Sequence, residues 1–162
     1  MIDKRIVRMN KKGITLIELV VVFAIIAICA VLIAPNIGGW LPNYRIRSAI
    51  RDVISTMRTA QMKAVSQNVE YQVSFNVAER SYILQRNTGT TAAPVWVDEG
   101  VRQTLPTGIT IPDSSMTFPG KSAQFNPNST SSTGSMTLEN TKGTKKRITL
   151  TTATGKVTLT ED

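Results

Sequence analysis

The chain has 162 residues, enough for one domain and a separate apolar segment. It holds no histidine and a single cysteine, Cys29, which excludes His-based triads, His metal ligands, an intrachain disulfide and a Cys-cluster metal site. The net charge of +8 overstates any attraction for nucleic acid: Lys4, Arg5, Arg8, Lys11 and Lys12 stand against Asp3 in residues 1–13, and the remainder carries 14 basic and 10 acidic residues.

The basic head ends in Lys11-Lys12-Gly13, and from Ile14 to Ala34 there follow 21 residues with one charge, Glu18. At ~1.5 Å per residue a helix of that length covers about 30 Å, the thickness of a bilayer's hydrocarbon core. An acid in such a run is costly, and Glu18 has no partner within the segment, which points to a partner on another molecule. The basic head favours the cytoplasmic side and puts the bulk of the chain outside; Arg45, Arg47 and Arg51 work against that bias. The apolar run is longer than the core of a secretory signal, and no A-x-A site follows it. A plain single-pass anchor would explain the run but not Gly13 together with Glu18.

A short basic head, Gly13 at its end, Glu18 five residues beyond and Pro35 just after the run resemble the processing site of type IV prepilins and type II secretion pseudopilins. The resemblance implies a membrane peptidase that cuts between Gly13 and Ile14 and methylates the new amino terminus at Ile14. It also implies that Glu18 pairs with the amine of a neighbouring subunit during assembly. The family prefers Phe directly after the cut; Ile14 stands there instead, which lowers the expected efficiency of methylation more than that of cleavage.

Pro35, Gly38, Gly39 and Pro42 weaken or kink a helix, so this stretch reads either as a boundary loop or as a kinked continuous helix. The resemblance favours continuation. From about Tyr44 to Asn68 a second helical stretch places Ile46, Ile50, Val53, Met57, Ala60 and Ala64 at three- and four-residue spacing, with Ala49 and Ile54 alongside. Arg47, Arg51, Arg58 and Lys63 fall largely on the other side, as a solvated face or as contacts to lipid headgroups or acidic neighbours.

The period then changes to 2. Val69, Tyr71, Val73, Phe75 and Val77 alternate with polar residues as a half-buried strand, and a turn at Ala78-Glu79-Arg80 leads to a partner strand, Ser81 to Arg86. Asn87 to Thr90 reads as a loop, Val95-Trp96-Val97 as a short strand, Leu105 to Gly108 as a turn before Ile109-Thr110-Ile111. Met116 to Phe118 and Ala123 to Phe125 are short extended pieces split by Pro119-Gly120. Asn126 to Ser135 is polar, with no apolar anchor, and is predicted to be a mobile loop. Strands at Ser135–Leu138, Arg147–Thr151 and Lys156–Thr160 close the chain, the last two separated by a turn at Thr154-Gly155.

The sequence therefore predicts an α+β fold: a leader over 1–13, a membrane helix over 14–34, an outer helical half over 35–68 and a β-rich domain over 69–162, with the long helix packed on antiparallel sheet in a pilin-like manner. The order of strands, Leu105-Pro106-x-Gly108, Phe125-Asn126-Pro127 and the terminal Gly155-Lys156-Val157 add a resemblance to the H-type minor pseudopilins and the minor pilins grouped with them. That implies a structural subunit in the bacterial inner membrane, spanning it once with its C-terminal domain in the periplasm. Its partners would be other pseudopilins or pilins and the prepilin peptidase. No catalytic residues, metal or cofactor are expected: adjacent strand residues Asp98 and Glu99 point to opposite faces, and no serine has a histidine to activate it. Lys142, Lys145, Lys146 and Arg147 form the densest basic cluster outside the head. They read as a soluble hairpin turn or, in the alternative function of a minor type IV pilin used in DNA uptake, as a DNA-backbone contact. No aromatic is interleaved with them.

Overall fold

The computed structural model describes residues 13–153 and 155–161, without the side chains of 32–38 and 161. The chain divides into two units, Met1–Gly38 and Gly39–Asp162. The helical signals merge into one helix, α1, Leu16–Gln67, so the helical assignment carries through Pro35 and Pro42 rather than breaking at a loop.

Within the second unit, the spacing read from the sequence is the face that packs. Ile46, Ala49, Ile50, Val53, Met57, Ala60 and Ala64 are all buried, and Ile54 is partly buried against them. Small residues at Ala49, Ala60 and Ala64 let the helix backbone approach the sheet closely, while Ile46, Ile50 and Met57 fill the space between.

The strands are β1 (Tyr71–Asn76), β2 (Ser81–Asn87), β3 (Trp96–Asp98), β4 (Gln103–Thr104), β5 (Ile109–Thr110), β6 (Ser122–Phe125), β7 (Gly134–Asn140), β8 (Lys145–Thr151) and β9 (Lys156–Glu161). They form two antiparallel sheets, one in the order β3-β2-β1-β6 with β4 also on β2, the other in the order β5-β7-β8-β9. The first hairpin turns at Arg80, whose φ is 52° and whose N–H donates to the Val77 carbonyl at 3.2 Å. The turn before β5 closes between the Ile109 N–H and the Pro106 carbonyl at 3.1 Å, with Gly108 at φ 85°. Such φ values favour glycine because a Cβ clashes there.

Two expectations change. First, the alternation along the first strand is not clean: Glu70 and Gln72 are buried as well. Strand β1 lies between β2 and β6, and Gln72 Nε2 donates to Gln85 Oε1 at 2.8 Å while Gln85 Nε2 donates to Asp98 Oδ1 at 2.7 Å. A polar ladder thus runs across register partners on three strands. Met116 to Phe118 is extended at both ends, as expected, without joining a strand; Thr117 N–H reaches the Ser135 carbonyl at 2.9 Å, and Pro119–Lys121 is a 3-10 turn.

Second, the polar stretch Asn126 to Ser135 is anchored. Ser131 N–H donates to the Thr152 carbonyl at 3.1 Å, Ser132 N–H to the Gln124 carbonyl at 2.9 Å, and Asn126 N–H to the Thr130 carbonyl at 2.9 Å. Its tether is made of hydrogen bonds rather than apolar contacts, and Ser131 is buried. Of the expected last turn, Thr154 lies outside the described residues, while Gly155 has φ 58°.

Candidate functional site

The amino-terminal end is built by a helix cap. Thr15 precedes α1, and its Oγ1 accepts the Glu18 N–H at 3.3 Å while its carbonyl accepts the Leu19 N–H at 3.2 Å. Thr15-Leu16-Ile17-Glu18 has the spacing of a capping box, a signal present in the residues and additional to the prepilin reading. Glu18 therefore stands in the first helical turn, where the helix dipole favours an acid. Its side chain is exposed and makes no ion pair among the described residues.

Gly13 and Ile14 lie before the helix, and both are exposed, Ile14 at 74 %. From Leu16 to Val31 the large apolar side chains are about half or more exposed, on every side of the helix. A helix apolar all round suits lipid or the interior of a bundle of helices. Among the described residues no helix is long and apolar enough to cross a membrane; the described side chains of this run end at Val31. The side chain of Pro35, and the basic head with Lys4, Arg5, Arg8, Lys11 and Lys12, lie outside the described residues.

The basic cluster is distributed over different faces. Lys142 lies in the turn between β7 and β8, and its Nζ donates to the Gly39 carbonyl at 2.9 Å. Asn140 holds that turn: its Oδ1 accepts the N–H groups of Lys142 and Thr144, each at 2.9 Å, and its Nδ2 donates to Asn43 Oδ1 at 3.1 Å. Along β8, Lys145 and Arg147 are exposed and Lys146 is buried, as period 2 requires. The four cations do not converge on one ligand.

A second polar cluster went unread in the sequence because its members are far apart in the chain. Lys63 on α1 pairs with Glu99 Oε1, and the Tyr71 hydroxyl donates to Glu99 Oε2 at 2.7 Å and lies 2.8 Å from Gln67 Oε1. The hydrogen bond from Lys63 holds the Glu99 carboxyl below its usual range, against the opposing effect of burial. Burial first, and then the Glu99 carboxylate, push the Tyr71 phenol up to about 12. Asp98, facing the other way, accepts from Gln85, so the two adjacent acids serve different partners. The cluster ties α1 to the segment after β3 and offers no reactive nucleophile.

Two family models match the chain. One, described as the prokaryotic N-terminal methylation motif, covers residues 8–34; the other, described as type II transport protein GspH, covers residues 49–155. No curated protein sequence matches. Two structures of the minor pseudopilin EpsH from the type II secretion system of Vibrio cholerae are similar in fold. One has a TM-score of 0.56 at 13 % identity over 70 % of this chain and 94 % of that one; the other has 0.57 at 11 % over 75 % and 96 %. The type IV minor pilin FimU of Pseudomonas aeruginosa gives 0.50 at 17 % identity, over 70 % of this chain and 91 % of that one. At these identities the likeness is one of fold: an amino-terminal helix packed on antiparallel sheet, the pilin-like arrangement.

Proposed function

This chain belongs to the type II transport protein GspH family, and we propose that it works as a minor pseudopilin, a structural, non-catalytic subunit of the type II secretion pseudopilus. In this reading, prepilin peptidase cuts between Gly13 and Ile14 and methylates Ile14. The mature chain waits in the bacterial inner membrane by a single helix, with its β domain in the periplasm, and then packs that helix among those of other pseudopilins.

One observation carries the assembly step. Glu18 occupies the first turn of a helix whose run from Leu16 to Val31 is otherwise apolar all round, with its carboxylate free of ion pairs among the described residues. A lone charge in an apolar phase is relieved by an opposite charge, and the methylated amine of a neighbour's residue 14 supplies one at the same depth. Pro35 would mark the point where the helix loosens for packing.

The test is co-assembly. Glu18→Ala, expressed with the remaining pseudopilins, should stay membrane-bound but fail to co-purify with them. Undiminished co-purification would remove the role of Glu18. The minor-pilin reading with DNA at Lys142, Lys145, Lys146 and Arg147 is less favoured, since Lys142 is bonded to the helix and Lys146 is buried.

A further inference from the structure

Beyond the apolar run, the outward side of α1 carries a built surface of its own. Trp40 and Tyr44 stack with ring centroids 5.0 Å apart and an interplanar angle of 29°, yet they remain 62 % and 48 % exposed. Arg47 and Arg51 continue the same stripe at three- and four-residue spacing. Together with Asn43 these four line an open cavity of about 260 Å³. Helical side chains lean towards the amino terminus, so Arg47 and Arg51 reach back over the turns that hold Tyr44 and Arg47.

The two arginines need an explanation. Cations shortly after a membrane segment, on the side away from the basic head, oppose the orientation that the head imposes. Arg45 is accounted for by the domain, since its Nη1 donates to the Thr107 carbonyl at 3.1 Å. Arg47 and Arg51 are exposed and have no ion pair or hydrogen bond among the described residues.

We propose that Trp40, Tyr44, Arg47 and Arg51 form a binding site for the phosphate headgroup of an anionic phospholipid in the outer leaflet of the membrane that holds the helix. The proposal rests on the membrane-anchored reading above. Aromatic rings with a polar edge settle at headgroup depth, and Trp40 comes six residues after Ala34, the end of the apolar run. Guanidinium groups hold phosphate oxygens through paired hydrogen bonds. Cations close to an anionic membrane surface also gain from its potential. The buried face of the helix, Ile46, Ile50 and Val53, is committed to the sheets, so the stripe stays open to lipid. The site would hold the subunit at a fixed depth before assembly and release it when the helix leaves the bilayer.

The experiment uses the full chain carrying Trp96→Phe, so that Trp40 alone reports. It is reconstituted into phosphatidylcholine vesicles with a minor fraction of phosphatidylglycerol, and bromine is placed on the acyl chains of one lipid or the other at equal mole fraction. The expected result is quenching of Trp40 severalfold stronger from brominated phosphatidylglycerol. That excess should vanish in Arg47→Gln/Arg51→Gln and persist in part in Arg47→Lys/Arg51→Lys. Equal quenching by both lipids overturns the headgroup site while leaving the anchor intact. No quenching by either would fault the anchored reading itself. Equal quenching together with lost co-purification in Arg47→Gln/Arg51→Gln would assign the arginines to acidic groups on a neighbouring subunit, which also overturns the proposal.

Discussion

Gly134→Ala is the sharpest test of how the two sheets are joined. Gly134 opens β7, and a Cβ built there would lie 2.4 Å from Phe118 Cδ1, 2.9 Å from Phe118 Cε1 and 2.9 Å from Phe118 Cα. The ring has little room to yield: Phe118 is buried and stacks on Phe75 at 6.2 Å, and Phe75 meets Tyr82 at 6.1 Å. Two effects of opposite sign compete. Alanine in a strand is favoured over glycine by about 0.5–1 kcal/mol through the unfolded chain's entropy. Forcing a methyl into a packed core costs about 1–3 kcal/mol. Contacts this short, one of them to backbone, put the cost at the upper end, so the net loss is about 1–2 kcal/mol.

For a domain of this size that lowers Tm by roughly 3–8 °C. The assay is thermal unfolding of the detergent-solubilised full chain, followed by circular dichroism. Phe118→Ala, itself costing about 3–5 kcal/mol, should make the added cost of Gly134→Ala smaller by about 1 kcal/mol. Rescue stays partial because the contact with Phe118 Cα remains. A Gly134→Ala chain as stable as the parent, or more so, would refute the packing of Phe118 on β7.

Two further outcomes follow from the domain. Tyr71 and Tyr82 are both pushed from the ordinary 10 to about 12, Tyr71 by burial and then Glu99, Tyr82 by burial and then Asp52. The fold favours the protonated phenol, so this stability is whole below pH 10 and drains as pH rises towards 12; Tyr82→Phe should flatten that alkaline limb in a denaturant titration, and an unchanged limb would count against it. Asn140→Ala removes an acceptor of two backbone N–H groups and a donor to Asn43, and should lower stability by about 2 kcal/mol in urea unfolding.

What was legible in the sequence was what repeats locally. The 3.6 period from Ile46 to Ala64 named the buried helix face and residue type the turn at Gly108, whereas the turn at Arg80 showed only as the end of the alternation at Val77. Strand β4 is two residues long and too short to show a period. The polar stretch 126–135 looked unanchored because Ser131, Ser132 and Asn126 hold it through hydrogen bonds, which apolar patterning does not register. Lys63 with Glu99, and Phe118 with Gly134, meet across folds of the chain that no local pattern encodes. At the amino-terminal site, Gly13 and Glu18 were readable through the family resemblance. The Thr15 cap was equally readable from its three-residue spacing to Glu18, and Trp40 and Tyr44 from theirs of four.

In the proposed function, this chain becomes a pseudopilus subunit by cleavage after Gly13. Intact mass and amino-terminal sequencing of the membrane-extracted protein, with and without prepilin peptidase, test it most directly. The expected product is a chain beginning at Ile14, carrying an added methyl, only where the peptidase is present. A chain beginning at Met1 in both samples would contradict it and leave Glu18 without an assembly role.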